Sequence, residues 1–197
     1  LYSMIHKNFV WIVAIMMVVF LFDACRKNQE PLKVGGCGDA NSPEGQVGLI
    51  DYDDGSCLYG FITEYQITYH PQFDNAAGTG VDWDFATNTD ADLILRIKQD
   101  TASDWFFNSE SGFGTPEIQH NDTARFSALT EYQLVNTSYR WDLYDHDPLP
   151  LDDNDLISSG TFNAIANASD GYVTAKGFNS AGDSTELRIK YDLRKVY

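Results

Sequence analysis

Residues 139–155 read YRWDLYDHDPLPLDDND, and the two halves of this stretch obey different rules. In Tyr139–Tyr144, Tyr139, Trp141 and Leu143 alternate with Arg140 and Asp142, the period-two pattern of a half-buried strand. From Asp145 onward, five aspartates and two prolines leave no period at all, so the strand ends in a loop. Similar short runs recur through the chain: Phe61–His70 (FITEYQITYH), Leu93–Lys98 (LILRIK), Asp104–Asn108, Ala124–Leu129, Thr161–Ala166, Gly171–Ala175 and Thr185–Leu193. Gly, Asp, Asn and Ser separate them, and no run keeps helical i, i+3, i+4 spacing over three turns. Seven or eight short strands in residues 61–197, without an internal repeat or linker, specify an all-β antiparallel sandwich.

Composition narrows the partners. The chain has 197 residues, 43% of them hydrophobic and 14% aromatic, enough to build a core. Thirteen Lys and Arg face 29 Asp and Glu, for a net charge of −16. A row of phosphates has nothing here to neutralise it, so nucleic acid is excluded as a partner. Of the acids 22 are Asp and only 7 Glu, which favours loops, turns and hard-cation coordination over helices.

The amino terminus reads as an address. Phe9–Phe22 is an apolar run of 14 residues, short for a spanning helix and suited to a signal-peptide core, following the weakly basic His6 and Lys7. The junction Phe22-Asp23-Ala24-Cys25 resembles a bacterial lipobox, although Phe22 and Asp23 depart from its usual residues. That resemblance implies a signal peptide over 1–24 and lipid on Cys25, placing the protein in the cell envelope as an outer-membrane lipoprotein. An uncleaved anchor and an ordinary signal peptide are the alternatives. With Cys25 lipidated, Cys37 and Cys57 remain, and an exported chain pairs them as a disulfide. Residues 25–60 then form a stapled spacer, whose end Asp53-Asp54-Gly55-Ser56-Cys57 resembles a short module ending in DDGSC. An EF-hand does not fit: from Asp51 the glycine arrives one position early, and from Asp39 position six is Glu44.

Two loops concentrate the acids. One carries Asp82, Asp84, Asp90 and Asp92; the other carries Asp145, Asp147, Asp152, Asp153 and Asp155. Five carboxylates about 5 Å apart would make ten pairs repelling by about 0.8 kcal/mol each even in water. That sum is comparable to the whole stability of a small domain. Either the loops splay apart or a cation sits between them. Calcium, which takes six to eight hard oxygens, suits these ligands; zinc does not, with only His146 near.

Residues 144–147 (YDHD) and 153–157 (DNDLI) resemble the third calcium loop of a C2 domain, with Ser158 in place of that family's glycine. Asp92-Leu93-Ile94-Leu95-Arg96-Ile97 resembles its Asp-Pro-Tyr-Val-x-Val, with Leu93 for the proline. The resemblance covers about residues 61–197 and implies an eight-stranded C2-like sandwich holding calcium at one end. By position the ligands would be Asp84 (or Asp82), Asp92 (or Asp90), Asp145, Asp147, and Asp153 and Asp155, between which the register is ambiguous. In the family, calcium bridges to phospholipid headgroups or changes the charge of the tip so that a partner docks. Trp83, Phe85, Leu149 and Leu151 are candidate docking tips, with core packing the competing role for the two aromatics.

Hydrolase, phosphate-loop and dinucleotide motifs are absent from the sequence, and His70, His120 and His146 stand isolated, so the expectation is not an enzyme. Two functions remain. One is a calcium-binding module docking to a membrane or surface ligand; the other is a calcium-independent adhesion or assembly component of the envelope.

Overall fold

The computed structural model describes residues 32–45, 49–75, 77–78, 83, 90–111, 117–146 and 154–196. Contacts divide the chain into Leu1–Val34 and Gly35–Tyr197. In the first unit only 32–34 are described, and Leu32 and Val34 are exposed. The second unit is almost entirely β.

Its strands are β1 (Gly35–Gly36), β2 (Tyr52–Asp53), β3 (Tyr59–Tyr69), β4 (Ala91–Gln99), β5 (Phe107–Asn108) and β6 (Glu117–Ile118). They continue with β7 (Ala124–Ser127), β8 (Ser138–Asp145), β9 (Leu156–Asn163), β10 (Ala168–Ser169), β11 (Tyr172–Phe178) and β12 (Ser184–Arg194). Eight of them run β5-β4-β8-β9-β11-β12-β3-β7, antiparallel throughout, with β6 and β10 pairing at the sides. Strands β9 and β11 share a single pair, Phe178 opposite Ser159, and there the sheet folds on itself. The two ends of the order then face each other across the core: the rings of Tyr65 on β3 and Phe107 on β5 are 4.0 Å apart, and Phe107 meets Phe126 on β7 edge-on at 6.4 Å. This closure makes the curled sheet an antiparallel β-sandwich.

Alternation explains which residues close it. On β4, Leu93, Leu95 and Ile97 point into the core, as do Tyr139, Trp141 and Leu143 on β8 and Leu187 and Ile189 on β12. Burying each such side chain contributes about 1.5–3 kcal/mol. Where the sheet folds, backbone must come close. A Cβ on Gly177 would lie 2.6 Å from Trp141 Cζ2, and one on Gly160 would lie 2.6 Å from Lys176 O. Gly160 therefore belongs to β9 rather than to a turn. This moves the strand expected at Thr161–Ala166 to Leu156–Asn163. Residues 164–167 turn instead, because Asn163 Oδ1 accepts the N–H groups of Ile165 and Ala166. The strand expected at Asp104–Asn108 shrinks to Phe107–Asn108, with Trp105 lying over Lys98 Nζ at 5.0 Å.

The sandwich has two ends. At its base lie the starts of β3 and β8 and the end of β12, with Arg194 opposite Tyr59. The expected Cys37–Cys57 disulfide is present here. The stapled segment is bound to the base: Ser42 Oγ donates to Leu58 O at 2.7 Å, Tyr59 OH to Asp39 Oδ2 at 2.8 Å, and Asn136 N–H to Asn41 Oδ1 at 2.9 Å. At the tip lie the ends of β3 and β8 and the starts of β4 and β9.

Replacing both cysteines by serine frees a loop of 20 residues. It is expected to cost about 3 kcal/mol by urea unfolding. Gly177→Ala is expected to cost about 1–3 kcal/mol by overpacking against Trp141, visible as a lower Tm.

Candidate functional site

The tip is built by pairing between β4 and β8. Leu93 sits opposite Asp145, so the chain entering β4 and the chain leaving β8 are neighbours. Three hydrogen bonds fix the junction. Asp92 N–H donates to Asp145 Oδ1 at 2.6 Å, His146 N–H to Asp92 O at 2.8 Å, and Asp145 N–H to Asp155 O at 2.8 Å. Positions far apart in sequence, 92, 145 and 155, thus share one knot of backbone. Asp145 is wholly buried, an environment a carboxylate tolerates only when its charge is answered. Asp92 N–H gives part of that answer.

An irregularity shapes the third strand of the knot. Leu143 is opposite Ser158 but Tyr144 is opposite Leu156, leaving Ile157 as an extra residue on β9. Such a bulge bends its strand and re-aims what precedes it. Immediately before β9, Asn154 Oδ1 lies 3.1 Å from His146 Nδ1, tying the exit of the β8–β9 loop to its entry.

The root of the other acidic loop is fastened separately. His70, 1% exposed, places Nδ1 3.0 Å from Pro71 O and Nε2 3.1 Å from Ile118 O. Burial pushes its imidazole below the ordinary value, opposed by those two carbonyls and by the Asp90 charge, with His120 adding to the lowering. A neutral ring donates through one nitrogen only, so one carbonyl is bonded and the other merely faced. Trp83 Nε1 donates to the same Pro71 O at 3.0 Å. Asn75 Nδ2 donates to Asp183 Oδ2 at 2.9 Å, linking this loop to the β11–β12 turn, and Asp74 Oδ1 accepts Ala77 N–H at 3.2 Å.

Of the expected ligands, Asp92, Asp145 and Asp155 come together at the tip. Asp84, Asp147 and Asp153 lie outside the described residues, as do the alternative Asp82, the candidate tips Phe85, Leu149 and Leu151, and Cys25. Asp90 is half-buried directly before β4. Trp83, expected as a docking tip, is instead 4% exposed within the core. Its indole is committed to Pro71 O, so of the two roles weighed for Trp83 it takes core packing and not docking. Among the described residues, Tyr69, Leu156 and Phe178 stand exposed at this end. Asp183 and Asn154 were not singled out from sequence. The turn signal Asn179-Ser180-Ala181-Gly182-Asp183 between two alternating runs could have placed Asp183 at this end.

The donor chemistry at the tip is hard oxygen, which fits calcium. Among the described residues, no group of three or more His, Cys, Asp or Glu side chains gathers closely enough to hold a metal ion. Any complete set would draw on the loop residues beyond them.

No known protein family matches the chain, and no curated protein matches it. Among solved structures, its strand arrangement is similar to C2 domains. One solved C2 domain is 12% identical over 68% of this chain and 98% of its own, with a TM-score of 0.35. The first of the C2 domains of plant Extended Synaptotagmin 1 is 10% identical over 68% and 98%, with a TM-score of 0.32. The calcium-bound pair of C2 domains of Extended-Synaptotagmin 2 is 12% identical over 68% of this chain and 45% of its own length, with a TM-score of 0.31. This chain therefore spans less than half of that protein. At these identities and TM-scores the likeness carries no argument about this chain's function.

His70 gives the tip a pH dependence with a defined sign. Its folded pKa lies below the ordinary 6.5, so its contribution to stability is present above that pH and lost as pH falls through the folded value. Between about pH 7.5 and about pH 5, urea unfolding should show a larger loss of stability for the wild type than for His70→Gln. Equal losses would assign the acid sensitivity to other groups.

Proposed function

We propose that the chain is a non-catalytic, lipid-anchored envelope protein whose C2-like sandwich binds calcium at the acidic tip. Through that calcium it docks to an anionic surface, a membrane or a partner presenting phosphate or carboxylate oxygens. The observation that carries this reading is the convergence of Asp92, Asp145 and Asp155 on one backbone knot, at the end from which both aspartate-rich loops depart. Nine aspartates lie in those two loops or at their roots, with Asp92 in β4 and Asp145 in β8, and a divalent cation would relieve the repulsion if the loop carboxylates gathered there. Residues that would supply oxygens are Asp92, Asp145 and Asp155, with Asp84, Asp147 and Asp153 from the loops. A bound ion would cancel part of the local negative charge and leave coordination positions for an outside oxygen.

Docking follows from charge. A protein at −16 is repelled by anionic lipid, and a metal bridge reverses the sign locally. Exposed Tyr69, Leu156 and Phe178 add apolar contact at the same end. Lipid on Cys25 would hold the chain in the outer membrane, in keeping with the disulfide of an exported protein. A calcium-independent adhesion or assembly role is the competing reading. It is favoured by the bond from Asp92 N–H, which gives the buried Asp145 carboxylate a bracing role without any metal.

Thermal unfolding separates the two. With an affinity in the range of extracellular calcium modules, about 5 mM calcium should add about 1–2 kcal/mol over excess chelator. Asp147→Ala should abolish the gain while leaving the chelated protein's Tm near wild type. Equal melts with and without calcium would leave only the bracing role.

A further inference from the structure

The outer face of β8 and β9 carries an arrangement that neither the core nor the tip explains. Tyr139, Trp141 and Leu143 point into the core, so Arg140, Asp142 and Tyr144 stand on the opposite face of β8. A carboxylate on that face would ordinarily sit in water, yet Asp142 is 2% exposed. Its Oδ1 accepts Arg140 Nε–H at 3.0 Å, while Arg140 itself is exposed. Arg96, opposite Asp142 on β4, packs over the Tyr144 ring at 5.0 Å. Desolvating a carboxylate beneath an arginine returns little stability, because the cost offsets most of the attraction. What it does supply is orientation. With Nε taken, the guanidinium plane is fixed and its two Nη groups are left for other acceptors.

Beside that guanidinium is an open groove of about 330 Å³, lined by Asp100, Arg140, Ser159, Gly160 and Thr161. Strand pairing explains how they meet. Thr161 is opposite Arg140 and Ser159 is opposite Asp142, so β8 and β9 supply adjoining rows. Asp100 N–H donates to Ser138 O at 2.9 Å, which sets the end of β4 against the start of β8. The Asp100 carboxylate is exposed. Bonding to Asp142 raises the Arg140 pKa, and the charge of Asp100 adds to that effect from across the groove. Arg140 belongs to the base half of β8, whereas Asp145 ends that strand at the tip.

The lining selects a ligand by elimination. A simple anion drawn to Arg140 is opposed by Asp100, and a simple cation meets the reverse. No lining side chain is a hydrocarbon, so an apolar molecule gains little there. What matches is an uncharged molecule whose groups both donate and accept. Arg140 offers donors in one plane, Asp100 offers acceptors, and the hydroxyls of Ser159 and Thr161 do both. Small-molecule sites run from about 300 to 1,000 Å³, so this groove holds a compact ligand and, being open, lets a longer one continue past it. We propose that the groove binds a neutral saccharide, with Arg140 and Asp100 bracketing neighbouring hydroxyls and Asp142 positioning Arg140. The site is separate from the tip and rests on neither the calcium nor the lipid anchor.

The test is an NMR titration of the isotope-labelled full chain, held in excess chelator. Maltose, cellobiose, lactose, mannobiose and diacetylchitobiose are the probes, with glycine as a zwitterionic control. At least one sugar should move the amides of Asp100, Ser159, Gly160 and Thr161 together, saturating below about 50 mM. The Arg140 Nε–H resonance should be protected from exchange before sugar is added and should shift with those amides. Asp100→Ala and Thr161→Val change exposed positions, where folding is tolerant of substitution. Each should weaken the binding of that sugar about ten-fold. Shifts that grow linearly with every sugar overturn the site. Saturating shifts that fall elsewhere, or that both variants leave unchanged, overturn its place in the groove. Saturation by glycine and by none of the sugars overturns the saccharide as its ligand. An Arg140 Nε–H that exchanges freely overturns the positioning role of Asp142.

Discussion

The hydrogen bond from Asp92 N–H to Asp145 Oδ1, 2.6 Å long, joins two strands at the point where each changes from sheet to loop. Its acceptor is wholly buried, so the bond forms in low dielectric, where it is strong and where its loss is costly. Through it, the start of β4 and the end of β8 become one structural element, and Asp155 O joins by accepting Asp145 N–H. Everything proposed about the tip depends on this knot. Loops departing from any other pair of strand ends would carry the same aspartates without bringing their roots together.

The rest of the sandwich holds the knot in place from a distance. Trp141, on the same strand as Asp145, packs over Gly160 and Gly177 where β9 passes to β11, and the sheet folds there. Folding brings Tyr65 and Phe126 against Phe107, which fixes β4 through its partner β5. At the opposite end the stapled segment closes over the starts of β3 and β8. The interior thus sets the register of β8 at both ends, and register decides which residues reach the tip. His70 and Trp83 do the corresponding work for the β3–β4 loop by converging on Pro71 O.

Much of this was legible in the residues. Alternation at 139–144, 93–98 and 185–193 located β8, β4 and β12, because each has one face in the core and one outside. The disulfide was legible from cysteine number together with the expectation of export. What could not be read was set by tertiary contact. Gly160 looks like a turn residue until Trp141 is packed against it, and the expected strand at 161–166 slid accordingly. Trp83 sits among aspartates, where sequence left docking and core packing both open, and its indole found an acceptor in the core. Sequence spacing left Asp153 and Asp155 equivalent; the bulge at Ile157 and the bond to Asp155 O come from the pairing of β8 with β9. The loop aspartates 84, 147 and 153 lie outside the described residues.

The central claim is that oxygens from both loops close around one divalent ion at the knot. Backbone amide shifts followed during calcium titration test it directly, since the Asp92 N–H is bonded to a proposed ligand. The amides of Asp92, Asp145, His146 and Asp155 should move together and saturate with one dissociation constant of about 0.1–1 mM. Shifts that grow linearly without saturating, or that spread over the acidic surface while Asp92 stays fixed, would contradict the claim.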